Sequence, residues 1–118
     1  VPDTDLDLLR GTLDLLVLKA LTWGPSHGYG VARWIEQATG HALPIEDGSL
    51  YPALHRLEAR GLVEAQWGLS EHNRRARFYR LTAAGRRALR TQTEQWERFS
   101  RTLFGALRAP ARPRPEGA

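Results

Sequence analysis

The stretch Asp47-Gly-Ser-Leu-Tyr-Pro-Ala-Leu-His-Arg-Leu-Glu-Ala-Arg-Gly-Leu-Val63 constrains this chain more than any other. At 100° per residue, Leu50, Ala53, Leu54 and Leu57 share one face of a helix and form a stripe to be buried. Pro52, His55, Arg56 and Ala59 fall opposite, with Tyr51 on the flank. Proline lacks an N–H and is tolerated near a helix start, so the helix should begin close to Gly48 or Ser49, capped by Asp47 or Ser49. Gly61 is placed to end it as the C′ residue. The N-terminal end then offers free amides, the Ser49 hydroxyl and the Tyr51 phenol to an anion or a base edge. A core helix with a solvated outer face would carry the same pattern, so the downstream residues have to decide between the two.

Ten residues beyond Val63 stands Asn73-Arg-Arg-Ala-Arg-Phe-Tyr-Arg-Leu-Thr82, with four arginines and no acid. The formal charge of +4 hides a division: residues 1–73 hold five Lys or Arg and ten Asp or Glu, while residues 74–118 hold twelve Arg and three Glu. Seven arginines stand between Arg74 and Arg90 without a carboxylate, a self-repelling run unless it is solvated or matched by an anion.

Along the rest of the chain, Leu6, Leu9, Leu13, Leu16, Val17, Ala20 and Leu21 make a helical stripe from Leu6 to Trp23, and Leu8, Leu15 and Leu18 add apolar surface on other faces. A helix buried on more than one side, in a chain this short, points to a partner subunit. Ser26 is placed to cap a second helix from His27 to about Thr39, with Val31, Trp34, Ile35 and Ala38 inward and Gly40 closing it. Ala42-Leu-Pro-Ile45 suits a small edge strand. Val63, Ala65 and Trp67 alternate with Glu64 and Gln66 as a strand, Gly68 to Asn73 forms a turn, and Arg77, Tyr79 and Leu81 alternate with Phe78 and Arg80 in the return. Arg74 and Arg75 then belong to the hairpin tip. The order α-α-(β)-α-β-β is that of a winged helix-turn-helix, a DNA-binding architecture.

The last helix should start at a Thr82 cap and run to about Arg108. Leu89, Gln92, Trp96, Phe99, Leu103 and Ala106 recur at spacings of three and four, a heptad seam that predicts a dimer. Packing of this seam back onto its own domain is the alternative. The fold class is thus mainly α with a small β hairpin: a winged helix-turn-helix over residues 6–81, a dimerisation helix over 82–108, and a proline-rich tail over 109–118 that reads as disordered.

Catalytic signatures are missing. Gly28-Tyr-Gly30 has Arg33 where a dinucleotide loop needs its third glycine, and no strand precedes it. His27, His41, His55 and His72 lie on separate elements with no metal-ligand spacing, and the chain has no cysteine for a disulfide or thiolate zinc site. No cofactor is implied, and no enzyme. Asp3, Asp5 and Asp7 stand where a secretory signal would be basic, and no apolar run approaches a bilayer span, so the expected location is the cytoplasm.

Four segments together resemble the PadR family of bacterial transcriptional regulators: Leu9-Arg-Gly-Thr-Leu-Asp-Leu-Leu-Val-Leu-Lys-Ala-Leu21, His27-Gly-Tyr-Gly30, Asp47 to Glu58 with Gly61-Leu62, and Arg74-Arg-Ala-Arg-Phe-Tyr-Arg-Leu-Thr-Ala-Ala-Gly85. The likeness covers roughly residues 6–108, and the single long helix after the hairpin resembles the smaller PadR subgroup, which dimerises through its first and last helices. The resemblance implies a homodimeric repressor on an imperfectly palindromic operator, with the third helix in the major groove and the wing on neighbouring backbone or minor groove. Ser49, Tyr51, His55 and Arg56 become candidates for base-edge or positioning contacts, and Arg74, Arg75 and Arg77 for phosphates. Arg77 shares a strand face with Tyr79 and Leu81, so pairing with Glu64 or another carboxylate is its alternative; for Tyr29 packing is favoured over a phosphate contact, and Arg86 and Arg87 are expected to lie too far from the duplex. Leu13, Leu16, Leu89, Trp96, Phe99 and Leu103 would form the dimer interface.

Members of that smaller subgroup hold small effectors between subunits beside a tryptophan of the last helix, a position that Trp96 occupies here, with Gln92 one turn earlier as a polar contact. Two indoles across the dimer axis would sandwich a planar aromatic compound; plain dimer core is the other account of Trp96. A competing function is a winged-helix protein-interaction module without DNA binding, which Glu46, Asp47 and Glu58 on the exposed face favour and the wing arginines oppose.

Overall fold

The computed structural model describes residues 12–112. Helix α1 covers residues 12–20, and after it come β1 (Ser26–His27), α2 (Gly28–Ala38), α3 (Asp47–Ala59), β2 (Val63–Leu69), β3 (Arg75–Leu81) and α4 (Ala83–Leu107). The strands form one antiparallel sheet in the order β1-β3-β2. Three short helices and this small sheet enclose one core, and α4 leaves it as a long projection.

The helical stripes meet in that core: Val17, Leu18 and Leu21 at α1, Val31 and Ile35 from α2, Leu50, Ala53, Leu54 and Leu57 from α3, and Val63, Tyr79 and Leu81 from the hairpin base. Several differences from the sequence reading appear here. The part of the first helix before residue 12, with Leu6, Leu8 and Leu9, lies outside the described residues. The helix also stops at residue 20, where a tight turn begins that has Gly24 at φ 138°, a conformation that suits glycine. Leu18, read as lying off the main stripe, is fully buried, and Leu13, read as interface, is 2% exposed within its own chain. The stripe is wide enough that its centre, and not one edge, faces the core.

Ser26 is not a cap. It pairs with Tyr79 in β1, and His27 caps α2 instead, its Nδ1 accepting the Gly30 N–H at 3.0 Å. Ala38, expected inward, is exposed at the end of α2. Residues 42–45 form no strand: the Ile45 side chain enters the core while its N–H donates to Glu36 Oε2 at 3.3 Å, so a carboxylate satisfies the backbone where a ladder was expected. The third strand of the sheet is Ser26–His27.

Helix α3 begins earlier than predicted, at Asp47, with Glu46 as N-cap and no side-chain cap bond. Asp47 sits in the first turn, where a carboxylate favours the helix dipole, and Pro52 lies inside the helix with its ring exposed to solvent. The C-terminus is as expected: Gly61 has φ 71°, its N–H donates to the Glu58 carbonyl at 3.0 Å, and Leu62 N–H donates to the Leu57 carbonyl at 2.9 Å. The hairpin turn is tighter than read, since Gly68 and Leu69 still pair with Ala76 and Arg75. Ser70 N–H donates to the Arg74 carbonyl at 2.8 Å, and Asn73 adopts φ 59°.

The start of α4 is fastened to the end of α3. Thr82 caps α4, its Oγ1 accepting the Gly85 N–H at 3.0 Å and donating to the Gly61 carbonyl at 2.7 Å, while Thr82 N–H donates to the Leu62 carbonyl at 3.2 Å. Gly85 is required here because a Cβ would run into the Leu62 carbonyl oxygen. Beyond its first turns α4 finds little of its own chain to pack on. Trp96 is 40% and Phe99 57% exposed, and Leu103, Phe104 and Leu107 are exposed too, so the seam does not fold back on its own domain. Residues 109–112 continue from α4 without helix or strand, and the rest of the proline-rich tail lies outside the described residues.

Gly85→Ala should lower stability by about 1–3 kcal/mol, the usual cost of overpacking against a fixed group. Thermal or urea unfolding monitored by circular dichroism measures it, and unchanged stability would show that the joint yields easily.

Candidate nucleic-acid interface

Because Leu50, Ala53, Leu54 and Leu57 turn inward, α3 must present Pro52, His55 and Arg56 to solvent, with Tyr51 39% exposed beside them. Ser49, half-buried, stays at the base of the helix. The Tyr51 ring is seated on the start of α2: a Cβ on Gly28 would lie 2.9 Å from the Tyr51 hydroxyl oxygen and 3.0 Å from its ring. The glycine of His27-Gly-Tyr-Gly30 thus makes room for the aromatic ring of the neighbouring helix. Tyr29, expected to pack, is instead 63% exposed, and its hydroxyl accepts from Arg33 Nη1 at 3.2 Å, one turn along the outer face of α2. That bond and the nearby phenol raise the Arg33 pKa above its ordinary value.

Between α3 and the hairpin lies an open groove of about 650 Å³. Tyr29, Tyr51 and His55 line the helical side, and Trp67, Arg74 and Arg75 the wing side. Its inner end is closed by Tyr79, whose phenol is pushed above its ordinary pKa by burial. The sheet's alternation explains the wall: Trp67, Arg75, Arg77 and Tyr79 share the sheet face turned toward α3, while Glu64, Phe78 and Arg80 lie on the other.

The arginines divide into held and free. Arg77 Nη2 donates to Glu58 Oε2 of α3 at 2.8 Å, and Arg80 donates to Glu64, its cross-strand neighbour, at 2.8 and 3.0 Å. Arg77 therefore takes its alternative, a carboxylate, although the partner is Glu58 and not Glu64. Arg56 reaches back to Asp14 of α1 at 2.7 Å, a hydrogen bond that raises the Arg56 pKa. Among the described residues, neither Arg74 nor Arg75 forms an ion pair with a carboxylate. Arg75 is steadied by an uncharged partner, its guanidinium lying 4.6 Å from the Trp67 ring centroid.

The structure thus brings Tyr51, His55, Arg74, Arg75 and Arg77 to one groove, leaves Ser49 and Arg56 outside its walls, and places Arg86 and Arg87 on α4 away from it. Sequence reasoning misses Trp67 and favours the wrong one of two roles, packing, for Tyr29. The outward position of Tyr29 is set by Val31 and Ile35 pointing in, and Trp67 is placed by its register opposite Arg77. On α4, Gln92 is half-buried and Trp96 meets Phe99 edge-on at 6.0 Å. Among the described residues no three His, Cys, Asp or Glu side chains are grouped to hold a metal ion, and no helix is long and apolar enough to cross a membrane. A concave wall of aromatic rings and free guanidinium groups beside an exposed helix is suited to polyanion backbone and base edges.

Comparison with known proteins shows the family and the fold. The model of the transcriptional regulator PadR-like family matches residues 17–91. A crystal structure of a PadR-family transcriptional regulator from Eggerthella lenta superposes with a TM-score of 0.77 at 34% identity, covering 92% of this chain and 93% of that one. A transcriptional regulator of Mycobacterium tuberculosis is 38% identical over 73 residues, 61% of this chain and 67% of its own length. An uncharacterized 37.1 kDa protein in a transposon of Streptomyces fradiae is 44% identical over 90 residues, 76% of this chain but only 24% of its own length.

Gly28→Ala should unseat the Tyr51 ring and weaken binding to duplex DNA by about tenfold, the value of one well-placed contact. Fluorescence anisotropy with a folded variant tests this; unchanged affinity would remove Tyr51 from the interface.

Proposed function

The chain belongs to the PadR-like family of transcriptional regulators, and on that premise we propose that it is a homodimeric repressor released from its operator by a small molecule. The fold and family make it a DNA-binding transcriptional regulator. The observation that carries the finer reading is the pair of uncompensated arginines, Arg74 and Arg75, at the tip of a hairpin that flanks the exposed face of α3. Arg74 and Arg75 hold phosphates, Tyr51 and His55 reach base edges or position the helix, Ser49 supports its N-terminal end, and Arg56 addresses guanine. Arg77, tied to Glu58, orients the wing relative to α3 and contributes less to phosphate binding.

The exposed seam of α4 supports the dimer: Trp96, Phe99 and Leu103 are apolar surface that one chain does not cover, whereas Leu89 and Leu16, expected in the same interface, are half-buried and packed against their own core. Two such subunits would set their α3 helices on half-sites about 34 Å apart along an imperfect palindrome. Trp96, with Gln92 one turn earlier, would hold a planar aromatic effector against its symmetry mate. Such a ligand lowers DNA affinity only by favouring a subunit spacing that misfits the half-sites. The acids that would favour a protein partner are partly taken up, since Glu58 is held by Arg77 and Glu64 by Arg80.

Binding to a labelled duplex over a salt series tests the proposal. Two free wing arginines on each of two subunits predict about four released counterions and a log–log slope near −4. Arg74→Ala with Arg75→Ala should flatten that slope on every sequence alike, and an unaltered slope would unseat the wing. Trp96→Asp should give monomers in light scattering; a surviving dimer would move the interface off this seam.

A further inference from the structure

Asp14 is a carboxylate that the DNA-reading surface does not need and yet carries at its edge. It belongs to α1, and across 42 residues of sequence it receives Arg56 of α3 through two bonds, Nη2 to Oδ1 at 2.7 Å and Nε to Oδ2 at 3.4 Å. Arg56 is exposed on the same outward face as His55, whereas Asp14 is half-buried, so the cation is at the surface and the anion behind it. The contact is not part of the core. It fills the guanidinium fork of an arginine otherwise free to meet DNA.

We propose that Asp14 is a specificity-determining residue, which holds Arg56 off the sugar–phosphate backbone and yields it only to the edge of a guanine. This rests on the DNA-reading role of α3 proposed for the chain. Guanine presents O6 and N7 in the major groove as two adjacent acceptors, matching the two oxygens that Asp14 now offers. The magnitudes set the order of preference. An exposed ion pair is worth up to about fivefold in an equilibrium. A well-formed arginine–guanine fork discriminates by about five- to 150-fold, so it can displace the carboxylate. A single backbone contact has no such margin, and taking Arg56 to a phosphate would leave the Asp14 charge unpaired beside a polyanion. Non-operator DNA is then gripped by the wing alone, and the helix commits its arginine where guanine is correctly placed.

The test uses the full chain and a guanine-free duplex of alternating adenine and thymine, titrated by fluorescence anisotropy over a salt series. The unsubstituted protein should show the wing slope near −4, and Asp14→Asn should steepen it to about −5 as one Arg56 per subunit joins the backbone contacts. Affinity for this duplex should rise by up to about fivefold per subunit. Asp14→Ser serves as a second variant should the amide disturb α1. In Asp14→Asn with Arg56→Gln the slope should return to its original value. Unchanged slopes in both single variants would overturn the proposal, and so would a steeper slope that persists without Arg56, which would assign the effect to removal of the Asp14 charge alone. Salt-independent binding by the unsubstituted chain would instead sink the DNA-reading role itself, together with this inference.

Discussion

The carbonyl of Leu62 is where the two working parts of the molecule are joined. It accepts the Thr82 N–H, the first turn of α4 presses Gly85 against it, and one residue earlier the Gly61 carbonyl takes the Thr82 hydroxyl. The same Gly61-Leu62 segment closes α3 with its own two backbone bonds. The end of α3 and the start of α4 are therefore one rigid backbone feature, with no flexible linker between them. Its geometry matters because α4 acts as a lever. At 1.5 Å per residue its 25 residues reach about 37 Å, so each degree of rotation at the joint displaces the far end by about 0.6 Å. A joint made of short backbone bonds and a forbidden Cβ keeps that angle where side-chain packing would let it drift.

Electrostatics then divides the labour among residues that look alike in sequence. Ion pairs as exposed as Arg77–Glu58 and Arg80–Glu64 contribute little to stability, about 0–1 kcal/mol each. Their effect is directional: the first ties the wing to α3, and the second straps the two strands of the wing together. Once those cations are compensated, Arg74 and Arg75 are the wing arginines left without a carboxylate partner among the described residues. Trp67 lends Arg75 a surface without cancelling its charge, which a carboxylate would have done.

Local rules make much of this legible. The four-residue stripe of α3, the Thr82 cap, the Gly61 terminus and the alternation of the hairpin each depend on a few neighbouring residues, and each is found in the structure. The failures are non-local. Strand β1 is two residues long and exists because Ser26 and His27 lie beside Tyr79 and Phe78, which no local pattern announces. Residues 42–45 lose their strand to a hydrogen bond with Glu36, nine residues before Ile45. The pairing of Arg56 with Asp14 and of Arg77 with Glu58 is likewise tertiary, so a sequence shows the charges without showing which cancel. Tyr29 is misplaced by treating an aromatic residue as core when the phase of Val31 and Ile35 points it outward.

The α4 seam shows the same limit from the other side. A heptad reading picks out Trp96, Phe99 and Leu103, yet Phe104 and Leu107 are exposed large apolar residues as well. On a helical wheel these five span an arc of about 140°, wider than the a/d stripe by which two helices meet. A symmetric contact between two α4 helices alone would leave part of that arc in water. With Leu13 already committed to its own core, the apolar surface remaining on α1 is at the half-buried Leu15 and Leu16. A homodimer that covers the arc therefore needs α4 to lie against both helices of its partner. In such a packing Trp96, the lever of α4 and the Asp14 that holds Arg56 all belong to helices crossing one interface.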